Sequence, residues 1–222
     1  MSNLGRLVVM AKNPRPGEVK TRLIPALGDE GACTLYRAML EDVVVSMAAG
    51  PWSTYVAVAP PEAKDELRSF FPSKVNVIPQ TGNDLTERMI GVFDHLLEQQ
   101  EPVVMRNSDS PDLPNALVQS AFDSLAQDQV DVVFGPDCGG GYYLVGLKEP
   151  CPDLFRTAMS TSDNFERTLE RCQALSLRVA VLPPHADIDM PDDLTDLVAR
   201  SAEIAFTCPQ THRALRSLKL IP

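Results

Sequence analysis

Short apolar runs alternate with amphipathic stretches along the chain. Residues 7–11 are almost wholly apolar and read as a first strand. Behind Asp29, a candidate N-cap, one stripe of Ala32, Leu35, Tyr36, Met39, Leu40, Val43 and Met47 predicts a helix to about residue 48. Residues 52–58 read as a second strand, which Pro60-Pro61 stops. A short helix near 62–70 and a strand at 75–78 follow. Asp84 is placed to cap a helix reaching about 98, residues 102–105 form a strand, and Pro114 opens a helix to about 126. The nearly all-apolar run 130–134 has the pattern of a strand covered on both faces and is expected to be central. A strand at 142–147 is entered through Gly139-Gly140-Gly141. Helical pattern returns at 163–175, a strand at 178–182 and a helix at 191–205. The stretch 209–222 is basic (Arg213, Arg216, Lys219) and is expected to be a C-terminal tail on the surface.

Strands alternating with helices predict one α/β domain over 1–222. Its expected form is a three-layer α/β/α sandwich around a mostly parallel central sheet. In such folds ligands collect beyond the carboxyl ends of the strands. The apolar residues before Lys12 are too few for a signal-peptide core, and no stretch approaches membrane-spanning length, so a cytoplasmic protein is expected. Five scattered cysteines without a Cys-x-x-Cys pair suggest neither a disulfide framework nor zinc. A formal net charge of −10 argues against a non-specific nucleic-acid binder, which needs a broad basic face.

Against that acidic background, the loop after the first strand is basic. Lys12, Arg15, Lys20 and Arg22 fall close together with one acid, Glu18. Pro14, Pro16 and Gly17 forbid a helix and preset a turned loop. Cations on such a loop suit an anion, most often a phosphate, although a solvated surface loop is the plain alternative. Walker and dinucleotide-binding glycine spacings are absent, so recognition falls to side-chain cations and a few backbone N–H groups. If the segment is extended, Lys20 and Arg22 point to opposite sides, and at most one of them faces a pocket squarely, unless the chain turns between them.

Asp109, within Ser108-Asp109-Ser110-Pro111-Asp112, lies beyond a strand end and suits a divalent metal. Mg²⁺ is held by one or two carboxylates with phosphates completing the shell. Asp112 is better read as a turn or capping residue. Asp192 and Asp193 sit in a first helical turn, where the helix dipole favours them. Either Asp187 or Asp189 is a candidate second carboxylate. Around Asp137 the glycines, including Gly140 and Gly141, allow a ligand to approach the backbone, as they also allow a tight connection. Asp84 reads equally as a plain cap. Histidines, cysteines and serines form no nucleophile arrangement.

Several of these segments together resemble a family of small bacterial proteins with the GT-A-like nucleotide-diphospho-sugar transferase fold. The family is provisionally labelled glycosyltransferase and is similar to small nucleotidyltransferases. The resemblance spans most of the chain. Its marks are Lys12-x-Pro14-x-Pro16-Gly17-x-Val19-Lys20-Thr21-Arg22-Leu23, Gln80 with Asp84-Leu85 and Arg88-Met89, and Ser108-Asp109-x-Pro111-Asp112-Leu113. Two more are Gly140-Gly141-Tyr142-Tyr143-Leu144-x-Gly146-Leu147, in which the family's paired glycines are read, and Asp187-Ile188-Asp189-x-Pro191-x-Asp193-Leu194.

The resemblance implies a metal-dependent transferase with a nucleotide or nucleotide-sugar donor and a small-molecule acceptor. Donor phosphates would lie near Lys12, Arg15, Lys20, Arg22 and Asp84. Lys20 and Asp109 would be catalytic, Mg²⁺ or Mn²⁺ would sit on Asp109 and Asp189, and Asp137, Gly140, Gly141 and Tyr142 would face the acceptor. The chain departs from the family pattern at Gly139, where an acid is usual, and at Arg106-Asn107. The family label favours glycosyl transfer. The 12–23 loop, and Asn107 in place of the first acid of an Asp-x-Asp triplet, favour nucleotidyl transfer with release of pyrophosphate. Gly139 also admits a non-catalytic nucleotide sensor.

Overall fold

A computed structural model describes residues 3–156 and 163–222. Its seven strands are β1 (Arg6–Lys12), β2 (Ser53–Ala59), β3 (Asn76–Pro79), β4 (Val103–Arg106), β5 (Val132–Pro136), β6 (Tyr142–Leu147) and β7 (Val179–Val181). They form one sheet in the order β3-β2-β1-β4-β6-β5-β7. Every pairing is parallel except those of β6, which runs antiparallel to both β4 and β5. The reversal follows from the short 137–141 connection, which allows only a hairpin. At its entrance Gly135 is required: a Cβ there would lie 2.2 Å from the Tyr143 ring, which crosses directly over it.

The expected three-layer sandwich is what the chain adopts. Helices α1 (Ile24–Met47), α2 (Lys64–Arg68) and α4 (Asn115–Leu125) cover one face over a core that includes Leu7, Val9, Val56, Val104 and Val133. Helices α3 (Leu85–Leu97) and α5 (Asn164–Ala174) cover the other, over Val8, Ala57, Met105, Phe134 and Val145. These two sets alternate along each strand, which is how a sheet covered on both faces must distribute its side chains. Gly28 (φ 69°) breaks α1, so Asp29, expected to cap the long segment, is instead its first helical residue.

Three expectations are corrected. β5 is not central but sixth of seven, beside the three-residue edge strand β7. An apolar run reports that both faces are covered and is silent about lateral position. The 191–205 helix divides into α6 (Pro191–Ala199) and α7 (Ser201–Ile204) at Arg200. The stretch read as a surface tail contains α8 (Pro209–Ser217), which buries Ala214 and Leu215 in a cluster with Leu35, Met39 and Leu197. Asp42 of α1 fastens its start by accepting the N–H groups of Gln210 (3.1 Å) and Thr211 (2.7 Å). The basic residues mark only the outer side of this segment. Among the described residues, no helix is long and apolar enough to cross a membrane.

Candidate active site

The carboxyl ends of β1 and β4 lie side by side, and two loops leave from them. The Lys12 N–H donates to the Tyr36 hydroxyl (3.0 Å), which in turn meets the Ser108 hydroxyl at 3.0 Å, so a buried tyrosine on α1 ties the loops together. Beyond Lys12 the chain does not stay extended. Lys20 adopts a left-handed conformation (φ 47°, ψ 43°) and leads into a 3-10 turn, Thr21–Leu23. That reversal is the turn that the extended case excluded, and it brings Lys20 and Arg22 to the same carboxylate. The Lys20 ammonium lies 2.7 Å from an Asp109 oxygen and 3.5 Å from one of Asp189, with its side chain only 3% exposed. Arg22, largely exposed, pairs with the other Asp189 oxygen.

The remaining cations of the basic loop go elsewhere. Arg15 points to Glu66 of α2 at 3.5 Å, and Lys12 is exposed outside the cavity lining. Asp84 accepts the Glu87 N–H (2.8 Å) as the cap of α3 and does not line the cavity. Asp112 lies in a turn, as its sequence suggests, but it does not cap the helix that follows: Pro114 stands at the N-cap of α4. The largely buried Asp112 carboxylate instead pairs with Arg200, at the α6–α7 break, and with His185 (3.3 Å). Burial pushes the Asp112 carboxyl up, but the His185 hydrogen bond and the Arg200 charge outweigh it and hold it below the usual carboxylate range.

Arg106 holds the Asp109 loop from beneath. It is the one charged residue of β4 and is fully buried. Its Nε donates to the Asn107 carbonyl (2.9 Å) and its Nη2 to the Ser110 carbonyl (2.5 Å). Burial lowers its pKa to about 10, while the Asp109 and Asp112 charges work the other way. Asn107 turns inward on its own loop: its side-chain oxygen accepts the Asp109 N–H at 3.3 Å.

The third loop, between β7 and α6, is stitched to Asp109 by an Ile188 N–H donated to the Asp109 carbonyl (2.9 Å). Asp193 accepts the N–H groups of Asp189 (2.9 Å) and Met190 (2.6 Å), which fixes the approach to α6. The carboxyl group of Asp187 is strongly perturbed. Burial, then the charges of Asp137 and Asp109, raise its pKa to about 6, against a smaller opposing effect of Lys20. Asp137 is itself held by N–H groups of Gly139 and Gly141, each 2.8 Å from Oδ1. A Cβ on Gly141 would come within 2.6 Å of Asp137 Oδ2, so this glycine is what lets the carboxylate sit there.

These loops surround a cavity of about 600 Å³. Asp109, Asp137, Asp187, Asp189 and Asp193 form its acidic side, and Arg22 lines it as well, whereas Lys20 is buried behind Asp109 and Asp189 and does not line it. Met10, Met89 and Met105 give it an apolar floor, continuous with the core under α3. Gly141 and Tyr142 line it. Gly140 does not; its carbonyl accepts the Phe165 N–H (2.8 Å) and anchors α5. Among the described residues no cluster of three His, Cys, Asp or Glu side chains is arranged to hold a metal by itself. A Mg²⁺ that borrows phosphate oxygens from a substrate needs only one or two carboxylates.

The raised Asp187 pKa has a measurable sign. Its folded value of about 6 exceeds the ordinary value of about 3.9, so the protonated form favours folding. That contribution is complete at acid pH and lost as pH rises through about 6. In protein stripped of divalent ions, Asp187→Asn is expected to raise stability by about 2 kcal/mol at a pH near ~7.5 and to leave it nearly unchanged below about pH 4, by urea denaturation under the two conditions. A variant destabilised at the higher pH would contradict the acidic crowding described above.

The sandwich with β6 reversed, and with its loops gathered over β1 and β4, is the fold of nucleotide-diphospho-sugar transferases. This chain belongs to the bacterial family DUF2064, described as "Uncharacterized protein conserved in bacteria", whose pattern matches residues 43–162. A crystal structure from Desulfovibrio desulfuricans G20, provisionally assigned as a nucleotide-diphospho-sugar transferase, is 30% identical with a TM-score of 0.89, covering 99% of this chain and 96% of that one. The 4-diphosphocytidyl-2C-methyl-D-erythritol synthase of Anaerococcus prevotii DSM 20548 superposes with a TM-score of 0.60 at 9% identity, covering 87% and 94% of the two chains. A CMP:2-keto-3-deoxy-manno-octonic acid synthetase complexed with CTP superposes with a TM-score of 0.52 at 12% identity, covering 90% of this chain and 99% of that one. No curated protein sequence matches the chain.

Proposed function

We propose that the protein is a metal-dependent transferase that takes a nucleotide or nucleotide-sugar donor and a small-molecule acceptor, with glycosyl transfer as the first reading. The observation that carries it is the meeting of Lys20 and Arg22 with Asp109 and Asp189, where Arg22 and both carboxylates line one cavity and Lys20 is buried directly behind them. The donor set fits a divalent ion: hard carboxylate oxygens from Asp109 and Asp189, with Asp187 adjacent, already gathered around a cationic ammonium. Mg²⁺ or Mn²⁺ held there would supply positive charge beside the donor phosphates. Lys20 and Arg22 bind those phosphates and stabilise the charge that develops on the departing group. The clamp of Arg106 on the loop carbonyls keeps Asp109 in place. The acceptor enters over Gly141 and Tyr142, where Asp137 is positioned to accept a hydroxyl proton, and the apolar floor limits access of water.

Nucleotidyl transfer is the second reading, favoured by Asn107. With its side chain engaged on the Asp109 N–H, it does not complete an Asp-x-Asp triplet. Two of the structural neighbours, a 4-diphosphocytidyl-methylerythritol synthase and a CMP-sugar synthetase, are named for cytidylyl chemistry.

The test is a panel of nucleoside triphosphates and sugar nucleotides with and without Mg²⁺, read as thermal stability. A ligand at about a hundred times its Kd stabilises by about 2.7 kcal/mol, which for a protein of this size raises Tm by roughly 5–10 °C. At least one nucleotide is expected to do so in the presence of Mg²⁺. Release of a nucleoside diphosphate or of pyrophosphate then separates the two transfers. A flat response throughout would remove both, and binding without any product release would leave a sensor.

A further inference from the structure

We propose that Lys20 is the built-in counter-ion of the cation site, so that a divalent ion and a phosphate enter together as a chelate while either alone is resisted. The inference rests on the transferase reading for the divalent ion on Asp109 and Asp189 and for the nature of the phosphate ligand. Lys20 Nζ lies between two carboxylates, 2.7 Å from Asp109 and 3.5 Å from Asp189, and its side chain is 3% exposed. The shorter distance is that of a charge-assisted hydrogen bond. A left-handed backbone at a non-glycine residue persists only where the surroundings enforce it, and here it delivers the ammonium into this gap.

The neighbouring charges sharpen the competition. Arg22 already occupies the outer oxygen of Asp189, and Arg106 lies beneath the Asp109 loop. Asp137 and Asp187 add negative charge on the cavity side. A divalent ion on Asp109 and Asp189 therefore displaces or repels a buried ammonium whose ion pairs, among the described residues, are with those same two carboxylates. A phosphate alone meets the five carboxylates of the cavity, with Lys20 buried behind two of them and already engaged. A metal–phosphate chelate removes both obstacles: the ion takes the carboxylates and the phosphate takes Lys20. Linkage makes the effect reciprocal, each ligand tightening the other by the same factor, commonly about 5- to 150-fold.

Mn²⁺ binding followed by electron paramagnetic resonance tests the first half without any nucleotide or turnover. Lys20→Met is expected to bind Mn²⁺ alone about tenfold more tightly than the parent protein. Lys20→Asn, which tolerates the left-handed backbone, should behave the same way and guards against a folding defect in the first variant. Equilibrium dialysis with labelled pyrophosphate tests the second half. In the parent, excess Mn²⁺ should tighten pyrophosphate at least tenfold, and in both variants the Mn²⁺-loaded affinity should fall at least tenfold. Mn²⁺ affinity that is unchanged, weaker or undetectable in both folded variants overturns the inference. Tighter Mn²⁺ binding with no binding of pyrophosphate or any nucleotide keeps Lys20 as counter-ion but removes the chelate and the transferase reading with it.

Discussion

On the proposed transferase reading, Asp109→Asn is expected to reduce metal-dependent turnover by about 10²–10³-fold while leaving the fold intact. The factor is that typically lost when one preorganised electrostatic group is removed from an active site. The amide keeps the volume of the side chain and one oxygen, but not the charge that a divalent ion requires. The loop itself does not depend on that charge. Its backbone is held by Arg106 on the Asn107 and Ser110 carbonyls, by Tyr36 on Ser108, and by the Ile188 N–H on the Asp109 carbonyl. The Lys20–Asp109 pair is lost, yet Lys20 retains Asp189. Initial rates at saturating donor over a Mg²⁺ titration, with a parallel thermal melt, give both quantities. A variant of unchanged Mg²⁺-dependent activity would take Asp109 out of the proposed metal site.

Arg106→Ala is expected to cost about 3 kcal/mol of stability, and Arg106→Met about half as much. The opposing effects are of similar size, so their difference decides. Burial lowers the Arg106 pKa to about 10, so the protein already bears a penalty for carrying the charge there, and the substitution relieves it. Against that relief stand two carbonyls that lose their hydrogen bonds, at about 1–3 kcal/mol each, and for alanine a cavity. Methionine fills most of the cavity and leaves only the carbonyls bare. Urea denaturation of both variants separates packing from hydrogen bonding. If alanine were as stable as arginine, the guanidinium would not be the clamp that the geometry indicates.

Local periodicity carried much of the architecture. The alternation of apolar runs with helical stripes already implied a covered, mostly parallel sheet, and the proline- and glycine-bearing loops already marked the ends of strands. Lateral order was another matter. Nothing in 130–134 distinguishes a strand at the middle of a sheet from the sixth of seven, because both are covered on both faces. The basic stretch after 209 looked solvated because its cations are visible in the sequence, whereas the partners of Ala214 and Leu215 lie far away on α1 and α6.

The site divides along the same line. Residue type and position nominated Lys20 and Arg22 on the basic loop, Asp109 beyond β4 and either Asp187 or Asp189 before α6, and the family resemblance chose Asp189. Their meeting required the left-handed turn at Lys20, which no glycine or asparagine at that position announced. Asp112 shows the limit from the other side: the helix just ahead suggested a cap, and its actual partners are His185 and Arg200. The chain alone determined which chemical groups were available and at which strand ends they would emerge, because those follow from local spacing and backbone preference. Only the tertiary structure decided which charges face one another, because an ion pair depends on distance through space, and the pairs here join residues as far apart in sequence as Lys20 and Asp189.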